Sequence, residues 1–165
     1  MTTTSDEDVL TSFSVPSEPG NERIALARVA DAVAARGLSP DRLERLKTAV
    51  AEATMNAIEH GNHNHAELDV DITVAALDDG VAVSIVDRGG AHAPAPDTTV
   101  ELPNLDMKLA GLQTPRGWGL FLIQNMVDAM DVSIDGDLHT VRLVMHTAPA
   151  PRPRDPEGGP RAEQM

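Results

Sequence analysis

Apolar and polar residues alternate along two stretches in the middle of the chain, at 67–74 and 81–87. Alternation with a period of two predicts strands that bury one face. The sequence Asp78-Asp79-Gly80 lies between the two stretches and predicts the turn that joins them. The positions that would share the buried faces are Leu68, Val70, Ile72 and Val74 in the first strand, and Val81, Val83 and Ile85 in the second.

Three further strands are predicted near the ends of the chain. A short apolar stretch at 11–16 predicts a first strand, and a hairpin is predicted at 131–136 and 138–147. Asp135-Gly136-Asp137 supplies the turn residues of this hairpin.

Helical periodicity appears in three places. The first helix is predicted over 22–36, with Gly37 as its stop. The second begins after Ser39, which suits the N-cap, with Pro40 at the first helical position, and runs to residue 60. A third helix is predicted over 117–129. The second helix has one core-facing stripe, formed by Leu43, Leu46, Val50, Ala53 and Ala57.

The element order β-α-α-β-β-loop-α-β-β predicts an α/β (α+β) two-layer sandwich, with helices on one face of a mixed, mainly antiparallel sheet. The folded domain is expected over 11–147. We expect residues 1–10 and the Pro- and Gly-rich tail 148–165 to be disordered. The segment 88–115 holds four prolines and has no clear periodicity, although a short helix near 102–111 is one alternative.

Composition narrows the possible functions. The chain has 165 residues, enough for one domain, and 41% of them are hydrophobic while 2% are aromatic. A net charge of −13 disfavours binding to nucleic acid. Cysteine is absent, the N-terminus does not resemble a signal peptide, and no run of 18 apolar residues predicts a membrane span. We therefore expect a cytoplasmic protein without a membrane anchor.

Two polar residues of the second helix form a candidate site. Glu52 and Asn56 are four residues apart, so their side chains point the same way, away from the apolar stripe. A carboxylate and an amide held side by side offer hard oxygen ligands to Mg²⁺, and the carboxylate can also accept a proton. The alternative is an ordinary solvated stripe of an amphipathic helix.

Two glycine-containing segments supply further candidates. Asp87 ends an apolar strand and is followed by Gly89 and Gly90, so its carboxylate can accept a hydrogen bond from an amine such as adenine N6 while a ring approaches closely. Gly117 and Gly119 begin an apolar helix, where free N–H groups favour an anion. The alternatives are a common strand-to-turn exit and a flexible loop that meets a helix. Neither segment is a P-loop or a dinucleotide fingerprint.

The three segments together resemble a known family. LKTAVAEATMNAIEHGN at 46–62, IVDRGG at 85–90 and PRGWGLFLIQNMVD at 115–128 resemble the N box and the two glycine boxes of the GHKL ATPases. Within that group the chain is most similar to the small bacterial anti-sigma-factor serine kinases. The resemblance extends over about residues 10–147 and implies the histidine-kinase-like ATPase fold.

The resemblance implies a role for each matching residue. Asp87 would hold the adenine amine, with Gly89 beside the ring. Asn56 would bind the Mg²⁺ that bridges the phosphates, and Glu52 would be the general base that activates the target serine. Three residues would offer backbone amides to the phosphates: Gly117, Gly119 and Leu120.

The implied function is that of an ATP-dependent protein serine kinase and anti-sigma factor. Such a protein phosphorylates a serine on an antagonist protein and sequesters a sigma factor, and relatives are often homodimers. Residues 91–115 would form the ATP lid, although their prolines set them apart from a glycine-rich lid. The alternative is a non-catalytic, nucleotide-gated switch that uses the same ATP site.

A histidine cluster, His60, His63 and His65, follows the second helix. Imidazoles at this spacing are compatible with zinc, but no cysteine or fixed carboxylate completes a ligand set. The alternative is a polar helix end, with His60 and Asn62 near the phosphates.

Overall fold

The computed structural model describes residues 8–89 and 115–147. Within these ranges the elements follow the predicted order. A π-helical turn, Ala57–Gly61, directly continues the second helix. The elements are β1 (Asp8–Pro16), α1 (Glu22–Val33), α2 (Pro40–Asn56), β2 (Asp69–Leu77), β3 (Gly80–Asp87), α3 (Pro115–Met126), β4 (Ala129–Asp135) and β5 (Leu138–His146).

The five strands form one sheet in the order β1-β2-β3-β5-β4. Each of the four neighbouring pairs is antiparallel. The apolar alternation sets the register, so that Ile72 pairs with Ile85, and Val83 with Leu143. The predicted fold class, a two-layer α/β sandwich, is confirmed, but the sheet of the described strands is wholly antiparallel rather than mixed.

The three helices pack on one face of this sheet, with α2 between α1 and α3. Four positions of the predicted stripe on α2 and its π-turn are buried, and Leu43 packs at the edge of the core. In the part of the chain that the structure describes, no helix is long and apolar enough to cross a membrane. The largest fully buried side chains include Leu46, Ile58, Ile72, Ile85, Ile123 and Leu143.

The two ends of α2 differ in how well they were predicted. Ser39 caps the helix as expected, since its hydroxyl accepts the Arg42 N–H at 3.2 Å. The continuous α-helix predicted to residue 60 is wrong beyond Asn56. The Asn62 N–H reaches back five residues to the Ala57 carbonyl, at 2.8 Å, which widens the last turn into a π-turn.

The other helix boundaries move by two or three residues. α1 ends at Val33, because Arg36 N–H closes a tight turn on the Val33 carbonyl before Gly37, whose φ is +85°. α3 begins at Pro115 rather than 117 and ends at Met126 rather than 129. It stops there because Asp128 N–H bonds the Val144 carbonyl and starts the pairing of β4 with β5.

The N-terminal segment 1–10, predicted to be disordered, is corrected for its last three residues. They belong to β1, where Asp8 pairs with Ala76 and Val9 with Ala75, and a bulge follows before Thr11. Pairing with a distant strand orders residues that have no strong local signal. The segments 1–7, 90–114 and 148–165 lie outside the described residues, and with them the expected tail, the alternative helix near 102–111 and all of the expected lid except Pro115, which begins α3.

Candidate active site

A cavity of about 440 Å³, including the solvent-open space at its mouth, lies between α2, α3 and the sheet. Most of its described wall is aliphatic, and its polar groups come from three elements. The lining residues are Ala53, Asn56, Ala57, Ile85, Asp87, Leu120, Ile123, Val132, His139 and Val141.

Asp87 is the buried acid of this cavity, with 3% of its surface exposed. One carboxylate oxygen, Oδ1, accepts the Gly89 N–H at 2.8 Å. The other, Oδ2, lies 3.0 Å from Nδ1 of His139, which pairs with Asp87 across β3 and β5. These contacts offset the cost of burying a carboxylate and fix its orientation.

His139 was missed by sequence reasoning. Its place in the cavity follows from the register of β5 against β3, which joins residues 52 positions apart. Nothing in the local sequence around residue 139 indicates which residue it faces. The only available signal was a histidine on a predicted strand, and that signal is weak on its own.

Gly61 packs against the Asp87 carboxylate, and Gly89 packs against the backbone of Gly61. A Cβ atom on Gly61 would lie 2.3 Å from Asp87 Cγ, and one on Gly89 would lie 2.2 Å from the Gly61 carbonyl oxygen. The close approach that requires Gly89 is therefore to the backbone of Gly61. The expected position of Gly89 beside an adenine ring stays a prediction.

Asn62, which follows Gly61, is buried, with 1% of its surface exposed. Its Oδ1 accepts the Arg88 N–H at 2.8 Å, and its Nδ2 donates to Ser17 Oγ at 2.9 Å and to the Asp69 carbonyl at 3.2 Å. The amide is thus occupied by protein groups. The expectation that Asn62 lies near the phosphates is therefore not supported for its side chain.

Asn56 lines the cavity at the end of α2, and Glu52 lies one turn earlier on the same side of the helix. Among the described residues, no group pairs with the buried Nδ2 of Asn56. Burial, and then the negative charge of Glu59, raise the pKa of Glu52 above its ordinary value. Glu52 is therefore a stronger base than a solvated glutamate.

The residue at which α3 begins decides which of Gly117, Gly119 and Leu120 can offer a backbone N–H to a phosphate. An α-helix leaves only the N–H groups of its first turn without intrahelical partners. Because α3 begins at Pro115, the N–H of Gly117 has no intrahelical partner, whereas Gly119 and Leu120 lie further into the helix. A backbone contact from either of these two to a phosphate requires the first turn of α3 to unwind.

The histidine cluster forms a turn after α2. His63 and Asn64 have positive φ values of 52° and 59°, and the rings of His63 and His65 are 6.5 Å apart. In the ranges 8–89 and 115–147, no three histidine, cysteine, aspartate or glutamate side chains are grouped to hold a metal ion. Among these residues, therefore, no ligand set for zinc accompanies the histidine cluster.

An antiparallel sheet covered by three helices, with a buried acid facing a cavity between the layers, defines the histidine-kinase-like class of ATP-binding domains. The sequence model of the family described as "Histidine kinase-like ATPase domain" matches residues 15–145. The chain belongs to this family, and the resemblance to GHKL ATPases is confirmed.

Two curated relatives indicate the branch of the family. The anti-sigma F factor of Bacillus licheniformis is 33% identical over 135 residues, which are 76% of this chain and 84% of that protein. The serine-protein kinase RsbW of Oceanobacillus iheyensis is 30% identical over 126 residues, or 74% of this chain and 77% of that protein.

Solved structures share the fold. The SiaB–SiaC complex from Pseudomonas aeruginosa gives a TM-score of 0.59 at 17% identity, covering 83% of this chain and 89% of that one. A structure of RsbU and RsbW domains from Mycobacterium tuberculosis gives 0.58 at 19% identity, covering 85% of this chain and 34% of that one.

Proposed function

We propose that this chain is an ATP-dependent protein serine kinase and anti-sigma factor. It phosphorylates a serine of an antagonist protein, and it also binds a sigma factor. The unphosphorylated antagonist frees the sigma factor from this chain. The observation that carries the proposal is one cavity that contains both Asp87 and Asn56, with Glu52 one helical turn away. The names of the curated relatives support the same function.

The Asp87 end of the cavity suits adenine. Ile85, Ile123 and Val141 offer apolar surface for a flat ring. An ionised carboxylate has about four acceptor positions, and protein groups occupy two of those on Asp87. The remaining acceptor positions of Asp87 accept a hydrogen bond from the exocyclic amine of adenine. Guanine presents a carbonyl oxygen at the same place, which the carboxylate repels.

The Asn56 end suits the magnesium and phosphates of ATP. Mg²⁺ in kinases is commonly held by one or two protein oxygens together with substrate phosphates, so a large acidic cluster is not needed. Asn56 Oδ1 would be the protein ligand. Its buried, unpaired Nδ2 is a donor that needs an acceptor, such as a phosphate oxygen. Gly117 would add a backbone N–H from α3.

Glu52 supplies the base for phosphoryl transfer. Its carboxylate takes the proton from the serine hydroxyl as the serine oxygen forms a bond to the γ-phosphorus. The bond from that phosphorus to the β,γ-bridging oxygen breaks, and ADP leaves. Positioning and charge neutralisation provide most of the catalysis in such reactions, so few protein groups are needed.

The test is to mix the full chain with labelled Mg-ATP and a candidate antagonist. The parent should label the antagonist, whereas Glu52→Gln should bind ATP within a few-fold of the parent and transfer phosphate about 100-fold more slowly or worse. Glu44→Gln is the matched control, because Glu44 is an exposed glutamate on the same helix. A Glu52→Gln variant that labels at the parent rate would overturn the base assignment.

Other outcomes of this assay define the rest of the proposal. ATP binding without labelling of the antagonist would favour the non-catalytic, nucleotide-gated switch. A cytoplasmic location and a homodimer remain predictions that accompany the kinase function. Sedimentation of the purified chain, alone and with a sigma factor, tests the dimer and the sigma-factor complex.

A further inference from the structure

The pairing of β2 with β3 ends next to Asp87, before the last residue pair that could form backbone hydrogen bonds. Its register runs to the pair Asp71–Val86, and the next hydrogen-bonded pair would join Asp69 to Arg88. The backbones of Asp69 and Arg88 do not bond each other directly. The Asn62 carboxamide lies between them instead, with Nδ2 donating to the Asp69 carbonyl and Oδ1 accepting the Arg88 N–H. The side chain of Asn62 thus replaces a direct contact between the strands.

The orientation of this amide is fixed by its partners. Arg88 offers a donor and Asp69 an acceptor, so a flipped amide would place donor against donor and acceptor against acceptor. A second N–H of Nδ2 donates to Ser17 Oγ, which in turn donates to the Leu68 carbonyl at 2.6 Å. Asn62 and Ser17 are both buried, so water does not compete for these bonds.

The bridge that Asn62 makes between Asp69 and Arg88 lies one peptide away from Asp87, the proposed adenine-binding acid. The Arg88 N–H that Asn62 holds follows Asp87 directly, and the next N–H, of Gly89, bonds Asp87 Oδ1. Gly61, which precedes Asn62, contacts both the Asp87 carboxylate and Gly89 at distances that exclude a Cβ. The short segment 61–62 therefore holds the turn after β3 in two ways, through the side chain of Asn62 and through the backbone of Gly61.

We propose that Asn62 is a positioning residue, which sets the Asp87 carboxylate for recognition of the nucleotide base by bridging Asp69 and Arg88. The proposal rests on the proposed function, because it takes Asp87 as the group that distinguishes adenine from guanine. Asn62 itself does not touch the nucleotide. Its removal frees the Arg88 peptide and lets the carboxylate of Asp87 turn away from the base.

The test compares Asn62→Ala and the milder Asn62→Ser with Ser17→Ala, in the full chain. Ser17→Ala breaks the same buried network but leaves the Asp69–Asn62–Arg88 bridge, so it serves as the control for a purely structural effect. Calorimetry with Mg-ATP and with Mg-GTP, below the melting temperature of each variant, gives an affinity ratio. Loss of stability alone does not change this ratio.

We expect Asn62→Ala to weaken Mg-ATP binding by about tenfold and to lower the ratio of the affinity for ATP to the affinity for GTP. Asn62→Ser should change both quantities in the same direction by less, and Ser17→Ala should keep the parent ratio. Amide hydrogen exchange at Arg88, measured by NMR without nucleotide, should accelerate in both Asn62 variants but not in Ser17→Ala.

An unchanged ratio in Asn62→Ser and in any folded Asn62→Ala would overturn this inference alone. So would equal narrowing of the ratio in Ser17→Ala, because the effect would then belong to the network and not to the bridge. A parent protein that binds ATP no better than GTP would overturn the proposed function together with the inference.

Discussion

Glu52 shows how the environment of one side chain matches its proposed task. A catalytic carboxylate has to be ionised to accept a proton, yet basic enough to hold it. Partial burial in α2 and the nearby charge of Glu59 both raise the pKa of Glu52, and burial is the larger cause. The acid limb of the kinase pH profile should therefore lie above that of an ordinary glutamate, with the rate rising as the pH rises through the pKa of Glu52.

Glu59→Gln should move this limb to lower pH. The substitution removes the negative charge that disfavours ionised Glu52, so its pKa falls and the base is active in more acidic buffer. The measurement is the rate of antagonist labelling across pH at saturating Mg-ATP. Glu67→Gln, in the exposed loop before β2, is the control and should leave the limb in place. A limb at the same pH in Glu59→Gln would contradict the role of Glu59.

Gly61→Ala should damage nucleotide binding through Asp87. The added Cβ would lie 2.3 Å from Asp87 Cγ, so the carboxylate has to shift. We expect Mg-ATP affinity to fall by about tenfold or more, as for the loss of one hydrogen bond to a charged group. Gly37→Ala is the matched control. It strains a residue with φ of +85° by about 1 kcal/mol but has no atom within 4 Å of its Cβ.

Calorimetry and thermal melting of both variants separate the two effects. Gly37→Ala should melt at a lower temperature and bind ATP like the parent, whereas Gly61→Ala should bind ATP weakly even well below its melting temperature. Parent-like affinity in Gly61→Ala would show that the Asp87 carboxylate adapts to the added methyl group.

At the scale of the elements, local patterns predicted which segments are strands and which are helices. The alternation in β2 and β3 and the Ser39 cap of α2 are local properties, and they agree with the structure. Several of the errors fall where distant partners decide. Asp8 and Val9 join β1 by pairing with β2, and the π-turn after Asn56 forms where Asn62 reaches the strand ends. Asp87 and Asn56 were therefore predictable as candidates, but His139 and the bridge of Asn62 were not.

Asp128, in the link between α3 and β4, joins α2 to β5 and provides a test at this scale. It accepts hydrogen bonds from the Arg42 guanidinium near the start of α2 and from the His146 backbone N–H at the end of β5. Burial alone would raise the pKa of Asp128, but these hydrogen bonds and the positive charge of Arg42 outweigh it and lower the pKa. The ionised carboxylate therefore stabilises the fold.

Asp128→Asn should lower the free energy of unfolding by about 1 to 2 kcal/mol at neutral pH. Because the folded pKa is below the unfolded one, this contribution is present above the unfolded pKa and is lost as the pH falls through the folded pKa. Urea unfolding from about pH 7 to about pH 3 should show parent and variant converging in acid. Asp137→Asn, in the exposed β4–β5 turn, is the control. A constant difference at all pH values would contradict the role of the charge.

At the scale of the whole molecule, the net charge sets a condition on ATP binding. The chain carries −13, and the described residues that line the cavity include one acid and no lysine or arginine. A triphosphate adds further negative charge to the same region. Binding therefore requires counter-charge, which the proposed Mg²⁺ provides beside Asn56. The affinity for ATP should depend on magnesium far more than the affinity for adenosine, which carries no phosphate.

Thermal unfolding of the full chain measures this coupling directly. A ligand at 100 times its dissociation constant stabilises the folded state by about 2.7 kcal/mol. For a domain of this size that is a rise in melting temperature of roughly 5 to 10 °C. Excess EDTA should remove most of the shift produced by ATP and leave any shift produced by adenosine. Asn56→Ala should lose the magnesium-dependent part, while Asn125→Ala, an exposed asparagine on α3, should behave like the parent. An equal shift by ATP with and without magnesium would mean that Asn56 does not hold the ion and that another group neutralises the phosphates.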